Sequence, residues 1–291
     1  MKKNKVRKNP GPIYGWPMGL WFTIFFVVPL IIIIVYSFLK KALYGGVEWE
    51  FSLTAYKQMF NPNYGIVLVR TIKISFLATL ITILLALPCG YAMARSKKQT
   101  MLLILIMIPF WTNSLIRVFA WMSILSSDGI VSSFLRQIGL LSESSTLLYN
   151  QTAVVLVSVY MYLPYAILPI FTSIDRFDFS LLEAARDLGA TKVQSMVKIL
   201  LPSIRTGVIT AIIFTFIPIF GAYTVPLLVG GKDSYMIGNI IVDQINKTRN
   251  WPLSAAFSLI ITIVSMLGVL WMMLSSKKDA SLRQSKEAKK Q

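Results

Sequence analysis

The sequence predicts an all-α membrane protein with six transmembrane helices, and three observations carry that prediction. Hydrophobic residues make up 55% of the 291 residues and the mean hydropathy is +0.66, against about 45 to 50% apolar residues in an ordinary soluble domain. Several apolar runs reach the roughly 20 residues needed to cross about 30 Å of hydrocarbon. Charged residues fall mainly between those runs and at the two ends of the chain. Backbone in lipid must then be helical, because hydrocarbon offers no partner to an open strand edge.

Taken in order, the spans are placed at residues 18–38, 75–93, 101–122, 153–174, 207–229 and 253–274. The first is read as a retained accessory span, not a signal peptide. It is long, contains Pro29 and lacks a small-residue cleavage pattern before Lys40-Lys41. An external loop at 39–74 follows, carrying Trp49, Phe51, Tyr56 and Phe60, and its Asn61-Pro62-Asn63 favours a turn. The connection between spans three and four holds Asp128-Gly129 and a Ser-rich stretch around Glu143, and also reads as broken structure. Each connection is either a plain connector or a surface for an external partner. Residues 75–274 hold the other five spans as the core domain, interrupted by a charged inner segment at 175–205.

The net charge of +17 could point to nucleic acid, but its distribution excludes that partner. Lys2, Lys3, Lys5, Arg7 and Lys8 lie in the tail at 1–17, and Lys277, Lys278, Arg283, Lys286, Lys289 and Lys290 in the tail at 275–291. An even number of spans puts both tails on one side, and by the positive-inside rule that side is cytoplasmic. Arg95, Lys97 and Lys98 mark the turn after span two as inside, and 175–205 falls inside by alternation. Lys40, Lys41, Lys57, Arg70 and Lys73 dissent; their long side chains can reach headgroups.

Cys89 is the single cysteine and there is no histidine, so no intrachain disulfide forms and the usual zinc or iron ligands are missing. No glycine-rich phosphate loop ending in Lys-Ser or Lys-Thr occurs. The chain is read as neither an ATPase nor another enzyme, and as binding no cofactor itself.

In the inner segment, Ser180-Leu181-Leu182-Glu183 has capping-box spacing. Leu181, Leu182, Ala184, Ala185 and Leu188 supply an apolar side and Glu183, Arg186 and Asp187 a polar one, so a short helix along the membrane surface is expected. Gly189 allows a turn or a close backbone approach. A second helical stretch at about 192–200 precedes Pro202, which is expected to start the fifth span. The residues alone leave two readings open: a connector packed under the bundle, or a lever inserted into a cleft of a soluble partner.

Glu183-Ala184-Ala185, then Gly189, Ile199 and Leu201-Pro202 at this spacing between spans resemble the coupling motif of type I importer permeases of the ATP-binding-cassette (ABC) superfamily. The resemblance implies the type I ABC importer permease (MetI-like) fold. It also implies that Glu183 and Gly189 belong to a helix docked on an ATPase homodimer, with Ala184, Ala185 and Pro202 supporting its shape. ATP and magnesium would then be bound by that partner. Pro109 to Arg117, Leu181 to Ala190 and Ile237-Gly238-Asn239 further resemble the permeases of bacterial spermidine/putrescine importers, and the basic amino-terminal region with the Pro109 to Arg117 run resembles the first of their two permeases. This implies a second homologous permease, an extracytoplasmic polyamine-binding protein and a place in the bacterial cytoplasmic membrane.

Asn113 and Arg117 are costly in lipid and, four residues apart, share a helix face. Arg117 repels a polycation, so a structural pairing or a gating role is expected of it. With the resemblance in hand, a polyamine path would combine acceptors with aromatic faces; the candidates are Trp111, Tyr160, Tyr162, Tyr165, Tyr223 and Asp243. Each aromatic has the alternative of a core or interfacial position, and Asp243 can simply pair with Lys247. Pro109, Pro164, Pro169, Pro218 and Pro226 would kink helices or free carbonyls. The same machine carrying another small solute, and an ion-coupled secondary transporter, are the rival readings; acidic ion sites within the spans are sparse for the latter.

Overall fold

The computed structural model of the chain describes residues 11–142 and 145–288. Lys2, Lys3, Lys5, Arg7, Lys8, Glu143, Lys289 and Lys290 lie outside the described residues. In chain order the elements are α1 (Gly11–Phe22), a π turn (Thr23–Val27), α2 (Val28–Ser37), β1 (Leu39–Lys41), β2 (Val47–Phe51), α3 (Thr54–Met59), α4 (Pro62–Ala94) and α5 (Gln99–Met107). There follow α6 (Ser114–Leu125), α7 (Ile130–Gln137), α8 (Gln151–Asp175), α9 (Ser180–Asp187), α10 (Lys192–Ser195), α11 (Leu201–Ser203), α12 (Arg205–Phe220), α13 (Thr224–Val229), α14 (Ile237–Asn246) and α15 (Trp251–Ala288).

Two compact units result, one made of residues up to Asn61 with Asp243–Thr262, the other of Pro62–Val242 with residues from Ile263 on. In the first, α1, the π turn and α2 form one apolar stretch whose most apolar window buries none of its residues, as befits a span that meets lipid or another chain. An antiparallel hairpin follows, with Lys40 opposite Glu48 and Lys41 opposite Val47. The Lys40 ammonium donates to Glu50 at 2.7 Å. That hydrogen bond, with the Glu48 and Glu50 charges, holds the Lys40 pKa above its ordinary value. The Gly46 amide donates to the Arg249 carbonyl at 3.0 Å, the Asn250 amide to Gln58 at 3.3 Å, and Tyr36 stacks on Trp251.

The second unit is built on α4, α8 and α12, which pack against one another. Ala78, Ala86, Ala166 and Ala211 are fully buried along these seams. A Cβ on Gly90 would lie 2.9 Å from Ile170 Cγ2, and one on Gly207 would lie 2.7 Å from the Pro169 carbonyl. Small residues let the backbones approach where lipid supplies no hydrophobic drive.

The six expected spans are only partly continuous. Among the described residues, five helical stretches are long and apolar enough to cross a membrane: Trp16–Ser37, Pro62–Ala94, Ser114–Gln137, Gln151–Asp175 and Trp251–Leu270. The number reaches six when the broken pair Lys192–Ser203 with Arg205–Phe220, bent by 72°, is counted as one span. The second span begins at Pro62 and not near 75, so the stretch expected as an external loop to 74 is helical over its last turns. Pro62 is the first helical residue, where its missing N–H costs nothing. At 33 residues α4 is about 50 Å long, longer than the hydrocarbon, which explains how Arg70 and Lys73 occur on it.

The third span is not the single helix expected at 101–122. It breaks into α5, a 3₁₀ turn (Ile108–Trp111) and α6, with Thr112 and Asn113 extended between them. The fifth likewise ends at Phe220 and resumes as α13 after Gly221–Tyr223. Pro164 and Pro169 sit inside an uninterrupted α8, so a proline alone does not break a span here.

Candidate functional site

The 175–205 segment is tied to the ends of α4 and α8. The Gln99 amide donates to the Ala94 carbonyl at 3.0 Å and to Asp175 Oδ1 at 2.9 Å. The Arg95 guanidinium lies 5.1 Å from the Phe179 ring centroid, and Tyr91 and Phe177 meet the same ring edge-on. These contacts fix where α9 starts.

The expected capping box at Ser180 and Glu183 does not form. Phe179 is already helical at φ −68 and ψ −18, leaving no extended residue before the helix, whereas an N-cap residue has non-helical angles. Ser180 is therefore the first helical residue, and its amide is taken by the Asp178 carboxylate at 3.0 Å. Glu183 is left exposed, its carboxylate with no hydrogen bond or ion pair among the described residues. A capping box does occur further along the chain, where Thr191 and Gln194 satisfy each other's amides at 3.2 and 3.0 Å. Its Thr-x-x-Gln pattern was the available signal.

The apolar side expected of α9 divides. Leu182 is 2% exposed and joins Phe177, Phe179, Leu200 and Ile204 in a core cluster. Leu188 is 90% exposed, and Leu181, Val193 and Val197 are exposed with it. One leucine anchors the helix and the others face outward. Ala184 is exposed and Ala185 half-buried. After α9 the Gly189 amide donates to Arg186 at 2.8 Å and the Ala190 amide to Ala185 at 3.0 Å, which is a Schellman turn. Gly189 has φ +88 and open space around its missing Cβ, so it is there for the turn and not for a close approach. Pro202 does not start the fifth span; it lies in the short α11, and the chain bends at buried Ile204 before α12.

A second constellation surrounds the break in the third span. The Thr112 hydroxyl donates to the Pro109 carbonyl at 2.7 Å, and the Asn113 side chain accepts from the Leu115 amide at 2.8 Å as N-cap of α6. Both sides of the break are thus satisfied locally. Asn113 and Arg117 do not act as a facing pair on one helix, because Asn113 stands outside α6. Arg117 instead lays its guanidinium 4.3 Å from the Phe110 ring centroid. Phe110 neighbours Tyr160 at 5.8 Å, and Tyr160 meets Trp121 edge-on at 5.3 Å. Phe110 and Trp121 were not singled out from the sequence, where two rings among many apolar residues carry no signal of their own. Trp111 is 81% exposed and takes no part in this stack. Tyr162 pairs with Tyr165 at 6.0 Å.

The break after α12 is stapled by buried Asn239, whose amide donates to the Tyr223 carbonyl at 3.1 Å and whose oxygen accepts from the Met236 amide at 3.1 Å. A Cβ on Gly238 would lie 2.5 Å from the Ala222 carbonyl, and the Ile237 amide donates to Thr71 at 2.9 Å. Ile237-Gly238-Asn239 thus closes one turn against α4 and another against the α12–α13 break. Tyr223 contributes its backbone to this joint, and its side chain is about one-third exposed. Asp243 lies in the other unit and accepts from Lys247 at 2.9 Å. Among the described residues no group of three metal-ligating side chains occurs.

The family described as "Binding-protein-dependent transport system inner membrane component" matches residues 79–278. The chain is 36% identical over 255 residues to the spermidine/putrescine transport system permease protein PotB of Escherichia coli (strain K12), covering 86% of this chain and 93% of that protein. It is 33% identical to the PotB of Haemophilus influenzae, covering 85% and 87%. The inner membrane ABC transporter permease protein YdcU of Escherichia coli (strain K12) is 34% identical, with 75% and 74% covered. Among solved structures, one chain of a bacterial ABC transporter involved in the import of the acidic polysaccharide alginate superposes with a TM-score of 0.75, covering 92% of this chain and 96% of that one at 17% identity. At that identity the likeness concerns the fold.

Proposed function

The chain belongs to the family of binding-protein-dependent transport system inner membrane components, and on that premise we propose that its cargo is a polyamine of the spermidine/putrescine class. It is a permease subunit of an ABC importer, a multi-pass inner-membrane protein with the type I importer permease fold, and the chemistry of ATP belongs to a separate subunit. What supports the cargo is the similarity to PotB over 86% of the chain. The partners in this reading are an ATPase homodimer, a second homologous permease and an extracytoplasmic polyamine-binding protein.

Coupling to ATP is assigned to the surface around α9. Glu183 is released from capping duty by Asp178 and is exposed beside Leu181 and Leu188. A helix whose carboxylate and leucines face outward on a Schellman-turned platform fits a groove of another protein better than it fits solvent. Glu183, Ala184, Ala185 and Gly189 are the docking face, and Pro202 shapes the turn that carries motion to α12. With both termini and 175–205 on the cytoplasmic side, as basic residues at the span ends favour, this face meets the cytoplasmic ATPase. Trp111, Asn113, Arg117, Tyr160 and Tyr223 are assigned to the path or its gate, while Asp243 is assigned a minor part in it because Lys247 already satisfies it.

The test is ATP-dependent uptake of labelled spermidine and putrescine into proteoliposomes holding the reconstituted complex, with unlabelled polyamines, amino acids and sugars as competitors. Competition by polyamines alone is the expected result. ATP-dependent uptake of a different solute, with no polyamine uptake, would reject the cargo and leave the family assignment standing.

A further inference from the structure

Arg117 is held in a place that opposes it three times over. It lies on the apolar stretch Ser114–Gln137, where a guanidinium is costly. It is the fourth residue of α6, near the positive end of that helix's dipole. Its Nε and Nη1 are buried with no hydrogen-bond acceptor among the described residues, although a buried donor ordinarily has one. Neither α6 nor the span portion of α8 carries an acidic residue to neutralise it. Among the described residues, the aromatic face that the guanidinium meets is that of Phe110 at 4.3 Å, a ring next to Tyr160, which in turn meets Trp121.

We propose that the Phe110, Tyr160 and Trp121 rings form a binding site for an organic ammonium ion, and that Arg117 occupies it as a tethered stand-in that cargo displaces. Aromatic faces attract a cation through their quadrupole whether the cation is a guanidinium or an alkylammonium. All three rings are only half-buried, so a ligand can reach them. A chain of ammonium groups joined by methylenes matches such a surface, because its charges take ring faces while its methylenes lie along the apolar flanks. Displacement has a built-in hinge. Phe110 belongs to the 3₁₀ turn before the break and Arg117 to the helix after it, so a change of angle at the extended Thr112 and Asn113 parts guanidinium from ring. A permease at rest then presents a filled cation site, and leakage of small cations is suppressed without a separate plug. The identity of the cargo rests on the polyamine reading above; the existence of the site does not.

The experiment is equilibrium binding of labelled tetramethylammonium and spermidine to the complex in nanodiscs of zwitterionic lipid, without binding protein. Wild type, Arg117→Gln, Arg117→Lys and the double variant Arg117→Gln, Phe110→Leu are compared, each checked for monodisperse elution and melting temperature. Arg117→Gln is expected to bind both probes at least tenfold more tightly than wild type, Arg117→Lys to bind as wild type does, and the double variant to lose the gain. Arg117→Met carries the expectation of Arg117→Gln should the latter not assemble. Binding unchanged in Arg117→Gln and Arg117→Met, or a gain that survives Phe110→Leu, overturns the proposal. Gain of tetramethylammonium binding in a complex that transports no polyamine upholds the site and rejects the cargo; polyamine uptake by wild type with no gain in the variants does the reverse.

Discussion

Gly189 isolates a backbone effect from a packing effect. A Cβ there would touch nothing, yet its φ of +88 is a conformation other residues adopt at a cost of about 1–2 kcal/mol. Gly189→Ala should therefore slow uptake several-fold and Gly189→Asn less, because Asn tolerates left-handed angles; initial uptake rates per reconstituted complex decide this, and equal losses for both would point to a lost contact instead. Asp243 is the opposite case. Its pairing with Lys247 is an i,i+4 surface bridge, worth about 0.3–0.5 kcal/mol, so Asp243→Asn should change uptake less than twofold. A tenfold loss would return Asp243 to the cargo path. Motif residues such as Gly189 and Asn239 were visible in the sequence, but their reasons were not. Asn239 reads as three letters of a resemblance until its two hydrogen bonds to Tyr223 and Met236 are seen.

Among the elements, a helix start departs from its local pattern where tertiary contact competes with it. Ser180-x-x-Glu183 has the capping signature, but the Phe179 ring, held by Arg95, Tyr91 and Phe177, draws the preceding residue into the helix and passes the cap to Asp178. Thermal melts of single variants separate the two starts. Thr191→Ala should cost about 1 kcal/mol as a lost cap, whereas Ser180→Ala should cost next to nothing; a reversed order would restore the expected capping box. Breaks were missed for a related reason. Hydropathy averages across Pro109 to Asn113 and across Gly221 to Tyr223, so each span looked continuous although Thr112, Asn113 and Asn239 supply the hydrogen bonds that make interruption tolerable. The seam of α8 and α12 leaves no room for a side chain at 207. Gly207→Val should lower the melting temperature markedly, since overpacking a tight core costs about 1–3 kcal/mol. An apolar gap of about 230 Å³ lies between α4 and the 196–204 stretch, lined by Leu87, Tyr91, Met196 and Leu201.

For the whole molecule, span number and membrane class were readable because both follow from length and hydropathy, which depend little on tertiary context. The extent of α4, the hairpin between Leu39 and Phe51 and the bend before α12 were not, since each rests on partners distant in sequence or on a proline whose role depends on the next turn. The central claim is that an exposed face around α9 transmits ATP-driven motion to a bundle that otherwise folds without it. Its most direct test uses Leu188→Asp, a change at a side chain 90% exposed and outside the core. ATP hydrolysis and spermidine uptake are measured on the same reconstituted complex, alongside the melting temperature of the permease. The account predicts uptake reduced at least tenfold at an unchanged melting temperature, with the ATPase either dissociated or hydrolysing without transport. Uptake at the wild-type rate would contradict it.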